Sequence, residues 1–165
     1  MNQKLHIILC NRRVIQMERN LLIKWFFPHP PELVWEFLTD SDRISEWLMK
    51  TDFKPVMGHK FKFKSKPIPQ MGWDGIVYCE VVEIVPFKKL AYTWKGGPEP
   101  GVTGLDTLLT WTVTPRDAGT EVLLEHTGFK GWKNYLASLF MERGWRRGVP
   151  KRLLDLLNKH SFDKA

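Results

Sequence analysis

Between Lys60 and Lys64 the chain alternates Lys-Phe-Lys-Phe-Lys. A strand with that pattern shows two phenylalanines on one face and three lysines on the other. Further strand-like runs cover Leu21–Phe27, Trp73–Val85, Lys89–Lys95, Leu105–Thr114 and Thr120–Thr127. Turn-forming segments separate the later runs: Pro67-Ile68-Pro69, Pro86, Gly96-Gly97-Pro98 and Asp117-Ala118-Gly119. Connections this short leave no room for crossover helices, so the strands form an antiparallel meander. Helical spacing appears in two places. Leu33, Val34, Phe37 and Leu38 follow Pro30-Pro31-Glu32, and Thr39-Asp40-Ser41-Asp42 then caps a second short helix through Ile44, Trp47 and Leu48. Trp132 to Lys159 carries Leu136, Leu139, Phe140, Leu153, Leu156 and Leu157 at helical intervals, with a kink or break expected near Gly148.

The predicted order is strand, two short helices, a run of antiparallel strands and a long final helix: an α+β domain. A curved antiparallel sheet must cover its apolar face, and the final helix is the only predicted element large enough. A sheet wrapped round a helix encloses space, and ligand pockets form in such places.

Composition narrows the class. At 165 residues, one domain is the expectation, drawn here as 19–165 after an extension of residues 1–18. Hydrophobic residues at 43% exclude intrinsic disorder. The longest apolar run falls far short of the ~18 residues of a membrane span, so no membrane partner is expected. Cys10 and Cys79 form neither a disulfide framework nor a CxxC pair, which suits a reducing cytoplasm. The first residues lack an export signal, because their apolar core is short, broken by His6 and followed by Arg12-Arg13. Met17 offers a second start for translation. Net charge is +7, but residues 20–129 are slightly acidic, so the basic character belongs to the two ends. Arg143, Arg146, Arg147, Lys151 and Arg152 are the candidate contacts for an acidic partner.

The chemistry-bearing candidates are mostly aromatic. Eight Trp, ten Phe and three Tyr make either a large core or a lining for something flat and apolar. Leu90, Tyr92 and Trp94 share a strand face, as do Leu105, Thr107, Leu109, Trp111 and Val113 on the next strand. Trp47, Trp73 and Trp145 would approach from the short helices, a strand end and the final helix. His126 shares a face with Val122 and Leu124. It suits either a general base near neutral pH, with Glu125 or Asp106 as helpers, or a hydrogen-bonded place at the edge of the core. The candidate ligand-binding set is therefore Trp47, Trp73, Tyr92, Trp94, Thr107, Leu109, Trp111, His126 and Trp145. No catalytic constellation, metal-ligand spacing or phosphate loop is present in the sequence, so no cofactor and no metal are expected. The Lys60–Lys66 stripe does not point to nucleic acid, because alternation separates the lysines from Phe61 and Phe63.

Several stretches together resemble a known family. They are Phe27-Pro28-His29-Pro30-Pro31-Glu32-Leu33-Val34-Trp35, Leu38-Thr39-Asp40, Glu46-Trp47, Glu83-Ile84-Val85-Pro86, Lys89-Leu90-Ala91-Tyr92-Thr93-Trp94, Gly119-Thr120-Glu121-Val122, Glu125-His126-Thr127-Gly128-Phe129 and Gly144-Trp145. In order and spacing over roughly residues 20–160 they resemble the family of heat-shock protein 90 ATPase activator homologues, within the START-like (SRPBCC) superfamily. The resemblance implies a helix-grip (START/Bet v-like) fold, a curved sheet round a long C-terminal helix, with a cavity between them for a hydrophobic small molecule. It implies no fixed reaction. The leading expectation is a non-enzymatic binder of an aromatic or acyl ligand. The alternatives are a module that activates the heat-shock protein 90 ATPase through its basic surface, and an enzyme on a hydrophobic substrate, cyclase- or hydrolase-like.

Overall fold

The computed structural model describes residues 18–99, 101 and 103–163. Residues 1–17, with Cys10 and Met17, lie outside the described residues, and Glu18, drawn with the extension, begins β1. The strands are β1 (Glu18–Phe27), β2 (Lys50–Thr51), β3 (Lys60–Lys64), β4 (Ile76–Val85), β5 (Lys89–Gly96), β6 (Leu105–Arg116) and β7 (Gly119–Lys130). The helices are α1 (Pro31–Thr39), α2 (Ser41–Trp47), α3 (Gly131–Arg143) and α4 (Val149–Asp163). A π-helical turn, Gly144–Gly148, joins α3 to α4.

All strand pairs are antiparallel, in the order β1-β7-β6-β5-β4-β3-β2. Strand β1 pairs with β7 because Gly119 lets the chain pass very close to the end of β1. A Cβ there would sit 2.2 Å from the Phe27 carbonyl oxygen. The helices follow local signals. Proline opens α1, and the Asp40 carboxylate accepts from the backbone N–H groups of Asp42 and Arg43 to cap α2. The inward faces carry Leu21, Ile23, Phe61, Phe63, Val77, Val81, Leu109, Val113, Val122 and Leu124, all buried. Val34, Phe37, Ile44, Trp47, Leu153 and Leu157 close the core from the helical side. This is the α+β helix-grip fold.

The final helix is broken where Gly144 and Gly148 predict it, but by a π-helical turn rather than an interruption. The two helices it joins behave differently. Val149, Leu153 and Leu157 anchor α4 in the core, whereas α3 buries only Ser138. Strand β2 has no counterpart in the sequence reading, and several strand limits differ from it, β1 starting at Glu18 and β6 ending at Arg116 among them. Strand β4 starts at Ile76 rather than Trp73, because Gly72 and Gly75 take positive φ and Asp74 accepts the Ile76 N–H. Strand β7 runs on to Lys130, since Gly128 at φ 95 bends the strand without ending it.

Candidate functional site

The concave face of the sheet presents an aromatic cluster under the junction of α3 and α4. The Trp145 ring, carried by the π-helical turn, lies 5.7 Å from Trp94 and 5.8 Å from Trp111. Trp47 from α2 meets Trp111 edge-on at 5.9 Å. Edge-on contacts recur because the positive ring edge favours the negative face of its neighbour. Trp47, Tyr92, Trp94, Thr107, Leu109, Trp111, His126 and Trp145 are all buried and form one continuous set. Of the nine residues expected to line a ligand site, only Trp73 is elsewhere. It is half-buried beyond the end of β4, and its Nε1–H donates to the Ile76 carbonyl oxygen.

Three polar groups thread this cluster, and their order is fixed by donor count. The Thr107 hydroxyl donates to the Trp94 carbonyl oxygen at 3.0 Å, so it can only accept from His126 Nε2–H at 2.8 Å. Trp145 Nε1–H can only donate, and it does so to His126 Nδ1 at 3.3 Å. His126 is thereby neutral, with its proton on Nε2. Burial pushes its imidazole down to about 3. Separately, Trp111 Nε1–H donates to the Tyr92 hydroxyl oxygen at 3.0 Å. Burial pushes the Tyr92 phenol well above its ordinary value. No acceptor among the described residues takes the Tyr92 hydroxyl proton.

This arrangement does not assemble a general base. His126 is fully buried, both its nitrogens are engaged, and no carboxylate reaches it. The helpers considered for it, Glu125 and Asp106, fall on the opposite face of their strands, and Asp106 pairs with Lys95 outside. The histidine fixes the mutual placement of β6, β7 and the π-helical turn.

The space between sheet and final helix, expected as a cavity, is filled by these rings. Open hollows occur on the surface instead. One of about 310 Å³ is lined by Lys60, Lys62, Tyr78, Glu80, Thr93 and Lys95, on the convex side. Another of about 430 Å³ is lined by Leu139, Glu142, Arg143, Arg146 and Arg147, beside the π-helical turn. On the convex face Lys62 sits 5.2 Å from the Tyr78 ring centre, so an aromatic does lie beside that lysine stripe. It comes from the neighbouring strand, which alternation within one strand could not reveal.

The basic residues considered for a partner gather around the π-helical turn, though not as free charges throughout. Arg146 pairs with Glu142, and Arg152 Nε donates to the Gly148 carbonyl oxygen. Sequence reasoning missed Phe53, Phe63 and Phe129 as members of the cluster. Phe129 lies 4.6 Å from His126 and Phe63 lies 5.4 Å from Trp94. The inward phase of the Lys60–Lys64 alternation marks Phe63, whereas Phe53 lies between elements and has no periodic signal.

The sequence model for the Activator of Hsp90 ATPase homolog 1-like protein family matches residues 28–158. Among solved structures, protein MLL2253 from Mesorhizobium loti is 34% identical, with a TM-score of 0.74, over 86% of this chain and 98% of that one. Protein BH1534 from Bacillus halodurans, at 24% identity and TM-score 0.67, matches over 86% of this chain and 98% of its own. DynU16, a protein of the dynemicin biosynthetic locus, matches at 22% identity and TM-score 0.67 over 84% of this chain and 47% of its own. The last two show the fold alone. No curated protein matches the sequence.

Proposed function

The chain belongs to the Activator of Hsp90 ATPase homolog 1-like family, and on that premise we propose that it is a non-catalytic binding module for a small, flat hydrophobic molecule. The observation that carries this reading is the position of Trp145. Most of the cluster is fixed to the sheet, but Trp145 rides on a π-helical turn between two glycines, next to a helix that buries one side chain. Withdrawing that turn would leave a tryptophan-sized space walled by Trp94, Trp111 and His126. The ligand would occupy the space of the displaced ring, and the Tyr92 hydroxyl proton would be a donor for an acceptor atom on it. Such a site is closed when empty, so binding waits on opening of α3.

The test uses the intact protein and 2-naphthol as probe. One equivalent should quench tryptophan fluorescence saturably and raise the melting temperature, because a ligand confined to the folded state stabilises it. The observed association rate should level off as probe concentration rises, at the opening rate of α3. A linear, unsaturable quench with no thermal shift would overturn the reading.

A second reading, activation of a heat-shock protein 90 ATPase, draws on the gathering of Arg143, Arg146, Arg147, Lys151 and Arg152. It predicts that the protein stimulates the chaperone's ATP hydrolysis and that Arg146→Glu with Arg147→Glu abolishes the effect. Absence of stimulation by the unaltered protein would remove it.

A further inference from the structure

Helix α3 leaves its large apolar side chains on the outside. Toward the sheet it turns Met141 together with polar groups: Ser138 is buried, Arg19 donates to Ser138 Oγ and pairs with Glu142, and the Arg19 guanidinium lies 5.6 Å from the Tyr135 ring centre. On the outer face stand Trp132, Leu136, Leu139 and Phe140, exposed by 62%, 54%, 44% and 58%. Their spacing of four, three and one residues places them along one side of the helix. Cations border this stripe. Lys133 and Arg143 lie on the same exposed side, and Arg143, Arg146 and Arg147 line the 430 Å³ hollow at its C-terminal end. The acid in that hollow, Glu142, is already neutralised by Arg19 and Arg146, which hold its carboxyl below the usual range.

We propose that this face docks the protein on an anionic lipid surface, with the four apolar side chains entering the headgroup boundary and Arg143, Arg146 and Arg147 meeting lipid phosphates. The inference goes beyond the interior binding reading and does not depend on it. An aromatic and aliphatic stripe beside basic residues is what an interfacial helix needs, since one plane of a bilayer supplies both phosphate and acyl chain. Other occupants fit less well. A second copy would bring like charges together. Four side chains of at most ~250 Å² each, about half exposed, also fall short of the ~800 Å² per partner in a standard interface. The extension carries Lys4, Arg12 and Arg13, which would add positive charge to a positive surface. An acidic protein would satisfy the arginines and leave the apolar stripe uncovered. No helix among the described residues is long and apolar enough to cross a membrane.

The test is co-sedimentation of the full chain with vesicles of phosphatidylglycerol and phosphatidylcholine against vesicles of phosphatidylcholine alone. Partition should be at least about tenfold stronger on the anionic vesicles, and Arg143→Ser with Arg147→Ser should remove most of that preference. Leu136→Ser with Phe140→Ser should lower partition about tenfold or more, with an unchanged melting temperature because both side chains are exposed. Inorganic phosphate should displace no more protein than chloride at equal ionic strength. Equal binding to both vesicle types, or anionic binding untouched by the Leu136 and Phe140 changes, would overturn the proposal. So would selective displacement by phosphate, release of the protein from anionic vesicles onto polyglutamate at equal charge, or a solution dimer that these two changes dissociate.

Discussion

Trp145 and His126, nineteen residues apart in sequence, are joined by one hydrogen bond from the indole N–H to Nδ1. That bond fixes the imidazole tautomer and ties the π-helical turn to the centre of the sheet. It makes a histidine on an apolar strand face a structural connector, and it makes the tryptophan the point where helix movement would be felt in the core.

The first prediction concerns pH. The folded His126 titrates at about 3, below its ordinary value of 6.5, so its contribution to stability is present above pH 6.5 and is lost as pH falls toward 3. Between pH 6.5 and 5 the loss should approach about 2 kcal/mol, or ~4–8 °C in melting temperature for a chain of this size. The depressed carboxyls of Asp52 and Glu142 act in the same direction, but only below about pH 4.5. His126→Leu should be less stable at pH 7, with the slope between pH 6.5 and 5 flattened. Thermal melts at half-unit pH intervals check this, and an unchanged slope in the variant would assign the acid sensitivity elsewhere.

Trp111 measures how full the interior is. Its ring contacts Trp25, Trp47 and Trp145 at 5.8 to 6.0 Å, so Trp111→Ala should cost about 3–5 kcal/mol, as in other close-packed cores. Urea unfolding reads this directly. A loss under ~1.5 kcal/mol would mean that the ring borders empty space in the resting protein.

At Gly119, φ is 153° and an added Cβ would meet the Phe27 carbonyl oxygen and Pro28 Cα at 2.2 and 2.8 Å, both backbone atoms. Neither can rotate away, so Gly119→Ala must part β1 from the start of β7 or distort the turn. It should destabilise by at least about 2–3 kcal/mol. A chemical denaturation curve matching the unaltered protein would contradict the close approach.

Cys79 is buried on β4, and burial pushes its thiol well above its ordinary value. Iodoacetamide at pH 8 should therefore label Cys79 only through unfolding, on the order of a thousandfold slower than an unhindered thiol. Peptide mapping by mass spectrometry separates this site from Cys10. Prompt labelling of Cys79 would show that β4 opens locally.

Much of the architecture was legible from local pattern. The Lys60–Lys64 alternation, the Asp40 cap, the turn at Asp117-Ala118-Gly119 and the weak point between Gly144 and Gly148 each act within a few residues, where sterics and hydrogen bonding are local. The same period of two placed Tyr92, Trp94, Thr107, Leu109, Trp111 and His126 on the inward faces. What periodicity cannot supply is the distance between elements. Whether rings on β5, β6 and the π-helical turn enclose a space or fill it depends on how closely the final helix approaches the sheet, and here they fill it. The direction of α3 was hidden for a related reason. Its apolar residues read as a core-facing stripe, but Arg19 and Glu142 meet on its other side, and that long-range pairing turns Trp132, Leu136, Leu139 and Phe140 outward. A helix with one apolar stripe faces the core only if nothing across the chain competes for the inward position, and the competing residue lies 123 positions away.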